Sequence, residues 1–243
     1  MYQQMQDLSD TKALPTFTIQ LHPSFVLKLD QLNNTQNHGT TVWDSAKLLA
    51  FYLFDSLKRP SFKEGQVQNR KTCLELGSGC GLGGLTMASL GYDTVLTDLP
   101  EILEGVLAPN CHKANDAILD WWHYMDSSAV IESPKIAAQT LNWLDLDTTP
   151  LSVFDYIIAS DCIYEIELVE PLLKCIQHHA SKQTVVLIAM ERRDDVVVDG
   201  FIQKAKHIGF EAKMISKKLF RNQAVNNEDV EIWKLKLKKA SPN

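Results

Sequence analysis

Glu75, Gly77, Gly79 and Gly81 occupy alternate positions of the stretch CLELGSGCGLGG, and Gly83 and Gly84 complete its cluster of glycines. Residues without a Cβ let backbone come close to a ligand. Two registers fit. Gly79, Gly81 and Gly84 spell GxGxxG, the dinucleotide fingerprint, with Asp98 about twenty residues further on for a ribose hydroxyl. Glu75, Gly77, Gly79 and Gly81 spell ExGxGxG instead. The apolar run CLEL stops at Leu76, so the turn begins at Gly77, and this favours the second register. That register suits a nucleoside with an amino-acid tail, its ribose hydroxyls donating to Asp98. A bare strand-to-helix turn would use the same glycines, and Asp98 at the end of the next strand is the independent match against that reading. The P-loop pattern GxxxxGK[ST] is absent.

A second constellation is SDCIY, residues 160–164, at the end of another apolar run. Asp161 could draw in a cationic side chain and orient a departing proton, and Tyr164 could wall a channel with its ring and hydroxyl. The plainer reading has Asp161 capping the next helix and Tyr164 packing in its first turn; Asp161 could do both. Glu191, in AMERR, ends a further strand on the same edge, where Arg192 and Arg193 offer it surface partners. Trp121 and Trp122 read as a packed loop anchor. His178 and His179 read as solvated, with no metal-ligand spacing nearby, and no metal site is expected.

The elements that must position these groups follow from periodicity. Phe17, Ile19 and Leu21, then Val26, Leu27 and Leu29, flank HPS as two short strands of a hairpin. TVWDSAKLLAFYLFDSL has helical spacing, with Asp44 or Thr41 available as a cap. From Lys71 onward β-rich runs alternate with helical stretches, which predicts a parallel sheet covered on both faces. Helices are expected near residues 81–90, 101–115, 168–179 and 196–208. The last two runs, FEAKMIS and DVEIWKLKLKK, follow without a long helix between them and pair as an antiparallel edge, KLKLKK fraying at its end. The long stretch DAILDWWHYMDSSAVIESP is the expected place for an insertion. There is no internal repeat and no low-complexity tract. The fold class is α/β: a Rossmann-like, seven-stranded, mostly parallel sheet with an antiparallel edge strand and helices on both faces. The organisation expected is a mobile N-terminal segment over 1–16, a hairpin and helix over 17–70 covering the cofactor site, and a catalytic domain over 71–239.

A chain of 243 residues can bury one large α/β core. Its net charge of -6 argues against a nonspecific grip on nucleic acid. Five cysteines without a CxxC pair read as reduced, buried thiols. No secretory signal and no apolar segment of membrane-spanning length is present, so a soluble, cytoplasmic protein is expected, with the nucleus as a second compartment.

VWDSAKLLAFYL, LELGSGCGLGGL, VLTDLPEIL, LNW and ASDCIYEIELVEPLLK together resemble the seven-β-strand protein-lysine methyltransferases of the methyltransferase-16 family, and most closely the valosin-containing-protein lysine methyltransferase branch. The resemblance covers roughly residues 17–237. It implies S-adenosyl-L-methionine as cofactor, Trp43 against it, Gly77, Ser78 and Gly79 along its methionine end with Glu75 in the motif, Asp98 on its ribose, Trp143 near its adenine and Ser160 lining the pocket. Family members often carry alanine at the last position, where a backbone contact would survive the change. Glu191 would stand near the acceptor, ranked below Asp161 among the catalytic candidates Asp161, Tyr164 and Glu191. The function implied is methyl transfer to a lysine of a protein substrate such as an AAA-type ATPase or chaperone, by a monomer. An NAD-dependent oxidoreductase and a noncatalytic cofactor-binding module are the readings from other classes.

Overall fold

The computed structural model describes residues 7–9, 11–32, 38–58, 70–125, 133–146, 152–219 and 224–238. Strands β1 (Thr16–His22) and β2 (Phe25–Asp30) form an antiparallel hairpin. Helix α1 (Asp44–Ser56) follows. The main sheet then holds β3 (Thr72–Leu76), β4 (Asp93–Asp98), β5 (Ile136–Thr140), β6 (Tyr156–Ser160), β7 (Val185–Glu191), β8 (Phe210–Met214) and β9 (Val230–Leu237). Their order across the sheet is β5-β4-β3-β6-β7-β9-β8. The first five pair in parallel, and β9 runs antiparallel to both β7 and β8. The reversed strand therefore lies one place in from the edge, because the chain passes β7's neighbour position, makes β8 outside it and returns between them. KLKLKK is paired in this ladder through Leu237, and Leu235 is buried, so the expected fraying starts no earlier than Lys238.

Alternation along β3 decides which side chains go where. Cys73 joins the apolar cluster shared with the hairpin, α1 and α2 (Leu82–Ser89). Leu74 and Leu76 join the opposite one, which contains α5 (Ile166–His179) and α6 (Asp195–His207). Helices thus cover both faces. The third helical stretch starts at α3 (Pro100–Ile102), passes through a π-helical segment at Leu103–Leu107 and continues as α4 (Ala108–Met125). It runs well beyond the expected end near Asn115, so Trp121 and Trp122 are helical and not part of a loop. Trp121 is buried, stacks on Phe25 at 5.0 Å and donates from Nε1 to the Ser89 carbonyl at 3.1 Å. That indole, with Phe54 at 6.2 Å, docks the hairpin onto the main domain. Residues 126–132, the rest of the expected insertion, lie outside the described residues.

Three more expectations change. The N-terminal segment is not simply loose: Leu8 is buried, and its N–H donates to the Ala224 carbonyl at 2.7 Å. His179 is buried rather than solvated, with Nδ1 2.9 Å from the Ser152 carbonyl. Neither Thr41 nor Asp44 caps α1. The cap position is Trp43, without a side-chain cap bond, and Asp44 accepts instead from Lys47 at 2.8 Å and Asn227 at 3.1 Å. All five cysteines are free and buried.

Candidate active site

The order of the sheet reverses at β3, whose successors lie on either side of it. The crevice outside the carboxyl ends of β3 and β6 is where open α/β folds place ligands. A cavity of about 460 Å³ opens there, within the usual range for small-molecule sites.

One wall is the glycine loop. Gly77 and Gly79 have φ of +59° and +53°, a backbone region favouring glycine. A Cβ on Gly77 would stand 2.6 Å from Cys162 Sγ, and one on Gly79 would stand 2.8 Å from the Gly39 carbonyl oxygen. The loop therefore needs glycine so that β6's end and the segment before α1 can close around it. Ser78 ties it to β4: its N–H donates to the Thr97 carbonyl at 2.9 Å, and its Oγ accepts from the Thr97 N–H at 2.9 Å. Asp98, at the end of β4, accepts from the Gly79 N–H at 2.7 Å and the Leu99 N–H at 2.8 Å. Burial raises its pKa against the pull of those two amides. Each carboxylate oxygen keeps a second lone pair for an outside donor.

Gly77, Ser78, Gly79 and Asp98 all line the cavity, as do Trp43, Trp143 and Ser160. Glu75 does not. It points down the same face as Cys73, under the first turn of α2, where a Cβ on Gly84 would meet its Oε2 at 2.8 Å. Gly83 thus makes room for this carboxyl, and Gly84 for the Leu96 side chain and the carboxyl together. Burial pushes the Glu75 pKa up to about 8, against the pull of the Gly84 and Gly83 amides and Ser78. The arrangement bears on the competing register. A dinucleotide places its diphosphate at the N-terminus of this helix, and here the chain's own acid lies against that turn.

The loops after β6 and β7 supply a second part of the lining, Asp161, Cys162, Tyr164 and Arg193. Asp161 has φ of +56°, a left-handed conformation uncommon for aspartate. Its carboxylate accepts from Arg193 Nη2 at 2.8 Å and weakly from the Glu191 N–H at 3.4 Å. Burial raises its pKa, and the Arg193 charge and hydrogen bond oppose that rise. It does not cap α5, whose cap position is Glu165. Tyr164 lines the cavity, half exposed, with its ring 6.1 Å from that of His38. Glu191 is outside the lining and is paired with Arg193. The ion pair matches the surface-partner reading of Glu191, and Arg193 links Glu191 to Asp161.

Arg193 is the functional neighbour that sequence reasoning passed over. It lines the cavity, and its guanidinium lies 4.9 Å from the centre of the Trp43 ring. Lys12 lies 4.8 Å from the same ring, so Trp43 is a cation platform as well as a wall. The only signal in the sequence was the dipeptide after Glu191. Gly39 and Cys162, which close on the glycines, carried none.

The set fits S-adenosyl-L-methionine. Asp98 keeps open lone pairs that suit ribose hydroxyls, Leu141 and Trp143 present apolar surface that suits a flat ring, and Gly77 lies close to both Trp143 and Cys162. Among the described residues no cluster of acidic, histidine or cysteine side chains could hold a metal ion.

Fold and site together define a Rossmann-like α/β protein with a nucleoside pocket facing a carboxylate that attracts cations. The chain belongs to the lysine methyltransferase family, whose model matches residues 22–207. It is 30% identical over 176 residues to the protein-lysine methyltransferase METTL21E of Bos taurus, covering 70% of this chain and 54% of that one. Similarity to the protein-lysine N-methyltransferase rrg1 of Schizosaccharomyces pombe is 29% over 72% of this chain and 54% of that one. The chain thus spans about half the length of these curated relatives. With EEF1A lysine methyltransferase 3 of Xenopus tropicalis it shares 25% identity over 90% of this chain and 86% of that one. Among solved structures, a methyltransferase from Pyrococcus furiosus matches with a TM-score of 0.56 at 15% identity, covering 87% of this chain and 90% of that one. This last likeness concerns the fold alone.

Proposed function

We propose that this protein transfers methyl groups from S-adenosyl-L-methionine to a lysine side chain of another protein. The observation that carries the reading is that Asp98 and the glycine loop line the same cavity as Asp161 and Tyr164. S-adenosyl-L-methionine, when bound, supplies an electrophilic methyl carbon on a sulfonium. Asp98 would accept from the ribose hydroxyls, and Trp143 would flank the base. Gly77, Ser78 and Gly79 would bring backbone to the amino-acid end.

Asp161 and Tyr164 would serve the acceptor. A lysine amine has an unperturbed pKa of about 10.4 and arrives as an ammonium without a lone pair. Asp161 attracts that ammonium and orients its departing proton. Removal from water inside the cavity lowers the amine's pKa, and the proton leaves to solvent without a dedicated strong base. Tyr164 keeps a protonated hydroxyl, its pKa raised by burial, and walls the channel. Alignment and exclusion of water do most of the work, as expected where the donor is already reactive.

An AAA-type ATPase or chaperone as substrate, a monomeric state, and a cytoplasmic and nuclear location belong to this proposal; the first draws on the resemblance to the valosin-containing-protein branch. The test is incubation with cell extract and methyl-labelled cofactor, followed by mass spectrometry. Label on a lysine of a discrete protein is the expected result. A cofactor-binding chain that labels no protein in a competent extract would be a noncatalytic module instead.

A further inference from the structure

Arg193 sits where the proposed mechanism needs the acceptor's ammonium. Its Nη2 donates to Asp161 at 2.8 Å and also to Glu191, and its guanidinium lies 4.9 Å from the Trp43 ring centre. Two carboxylates and an aromatic face are what a cationic side chain seeks, and here the chain fills the place itself.

Which partner can move is settled by how each is held. The Asp161 side chain is only 7% exposed, and its N–H donates to the Ala189 carbonyl at 2.9 Å. Arg193 is 42% exposed at its side chain and lies on the short connection between β7 and α6. Its neighbour Arg192 is fixed on both sides, donating to Glu231 at 2.8 Å, Asp195 at 3.0 Å and Asp199 at 2.9 Å. The Arg193 side chain can therefore leave while the backbone beneath it stays in place.

We propose that Arg193 is an internal stand-in for the acceptor, which an incoming cationic side chain must displace from Asp161 and Glu191. This rests on the reading of Asp161 as the acceptor's anchor. The exchange conserves charge: one cation leaves as another arrives, and no buried carboxylate is left alone. A side chain that arrives neutral would displace Arg193 without replacing its charge, which disfavours its entry, whereas the cationic acceptor loses its proton only once it is seated. Arg193 thereby sets specificity as well as access. It rejects uncharged acceptors by the cost of the unpaired groups they would leave.

The test uses n-butylammonium, a lysine side chain without its backbone, titrated into the wild-type chain and into Arg193→Ala and Arg193→Gln. Both variants should bind it at least tenfold more tightly than the wild type, and Arg193→Ala combined with Asp161→Asn should lose that gain. Equal or weaker binding in both variants would overturn the proposal. In the wild-type chain, the arginine Nε–H signals in NMR supply a readout that needs no substitution. One of them should shift and exchange faster with solvent as n-butylammonium is added, and the absence of any change at saturation would count against displacement. None of these measurements requires turnover, so a failure here is distinct from a failure to label protein.

Discussion

Asp98 and Asp161 are both carboxylates at strand ends, and their surroundings differ. Asp98 is held by two backbone amides and lines the cavity. Asp161 faces a guanidinium and an acid. Asp98→Ala should weaken cofactor binding about 100-fold or more, since hydrogen bonds to a charged group contribute about 1.5–3 kcal/mol each; calorimetric titration measures it. Glu75 gives a prediction of another kind. Its pKa is raised from 4.5 to about 8 in the folded chain, so folding takes up a proton between those values. Its contribution to stability is therefore fully present below the unfolded value and lost as pH rises through the folded one. Glu75→Gln should flatten this dependence, and its advantage over wild type should grow by about 1.4 kcal/mol per pH unit within the window. Urea unfolding across pH 5–8 reads it out, and parallel curves for the two proteins would contradict it. The ExGxGxG pattern was legible because glycine spacing is local. The direction of the Glu75 side chain was not, because it depends on a helix turn eight residues on.

At the scale of elements, alternation and helical spacing revealed nearly every strand and helix of the main sheet, since each buries one face or stripe. They failed where tertiary partners decide. Trp121 extends α4 beyond a run rich in polar residues because the hairpin waits for its indole. The start of α1 looked like a capped helix, yet its acid is committed to Lys47, which is fully buried and also donates to the Leu8 carbonyl at 2.9 Å. This pair ties the N-terminal segment to α1 directly behind Trp43. Lys47→Met removes one partner of a buried ion pair and should cost roughly 3–5 kcal/mol of stability, measured by urea unfolding. A loss below about 1 kcal/mol would mean that Asp44 finds its other partners sufficient.

For the molecule as a whole, the reversal of strand order at β3 brings together groups from three separate connections: Gly77–Gly79, Asp98 and Asp161. Sequence order could place each at a strand end but could not show that Arg193 closes the acceptor wall or that Gly39 closes on the glycines. The hairpin packs against α4, and among the described residues of 17–70 those that line the cavity fall between His38 and Ala46. The central claim is that one cavity serves a donor and an acceptor through different acids. Asp98→Ala and Asp161→Asn, each measured for S-adenosyl-L-methionine binding and for transfer of labelled methyl to protein in extract, test it most directly. Asp98→Ala should lose both, while Asp161→Asn should bind cofactor within about threefold of wild type and lose at least about 100-fold in transfer, in line with a role in positioning the acceptor. Equal loss of cofactor binding in both variants, or undiminished transfer by Asp161→Asn, would contradict it.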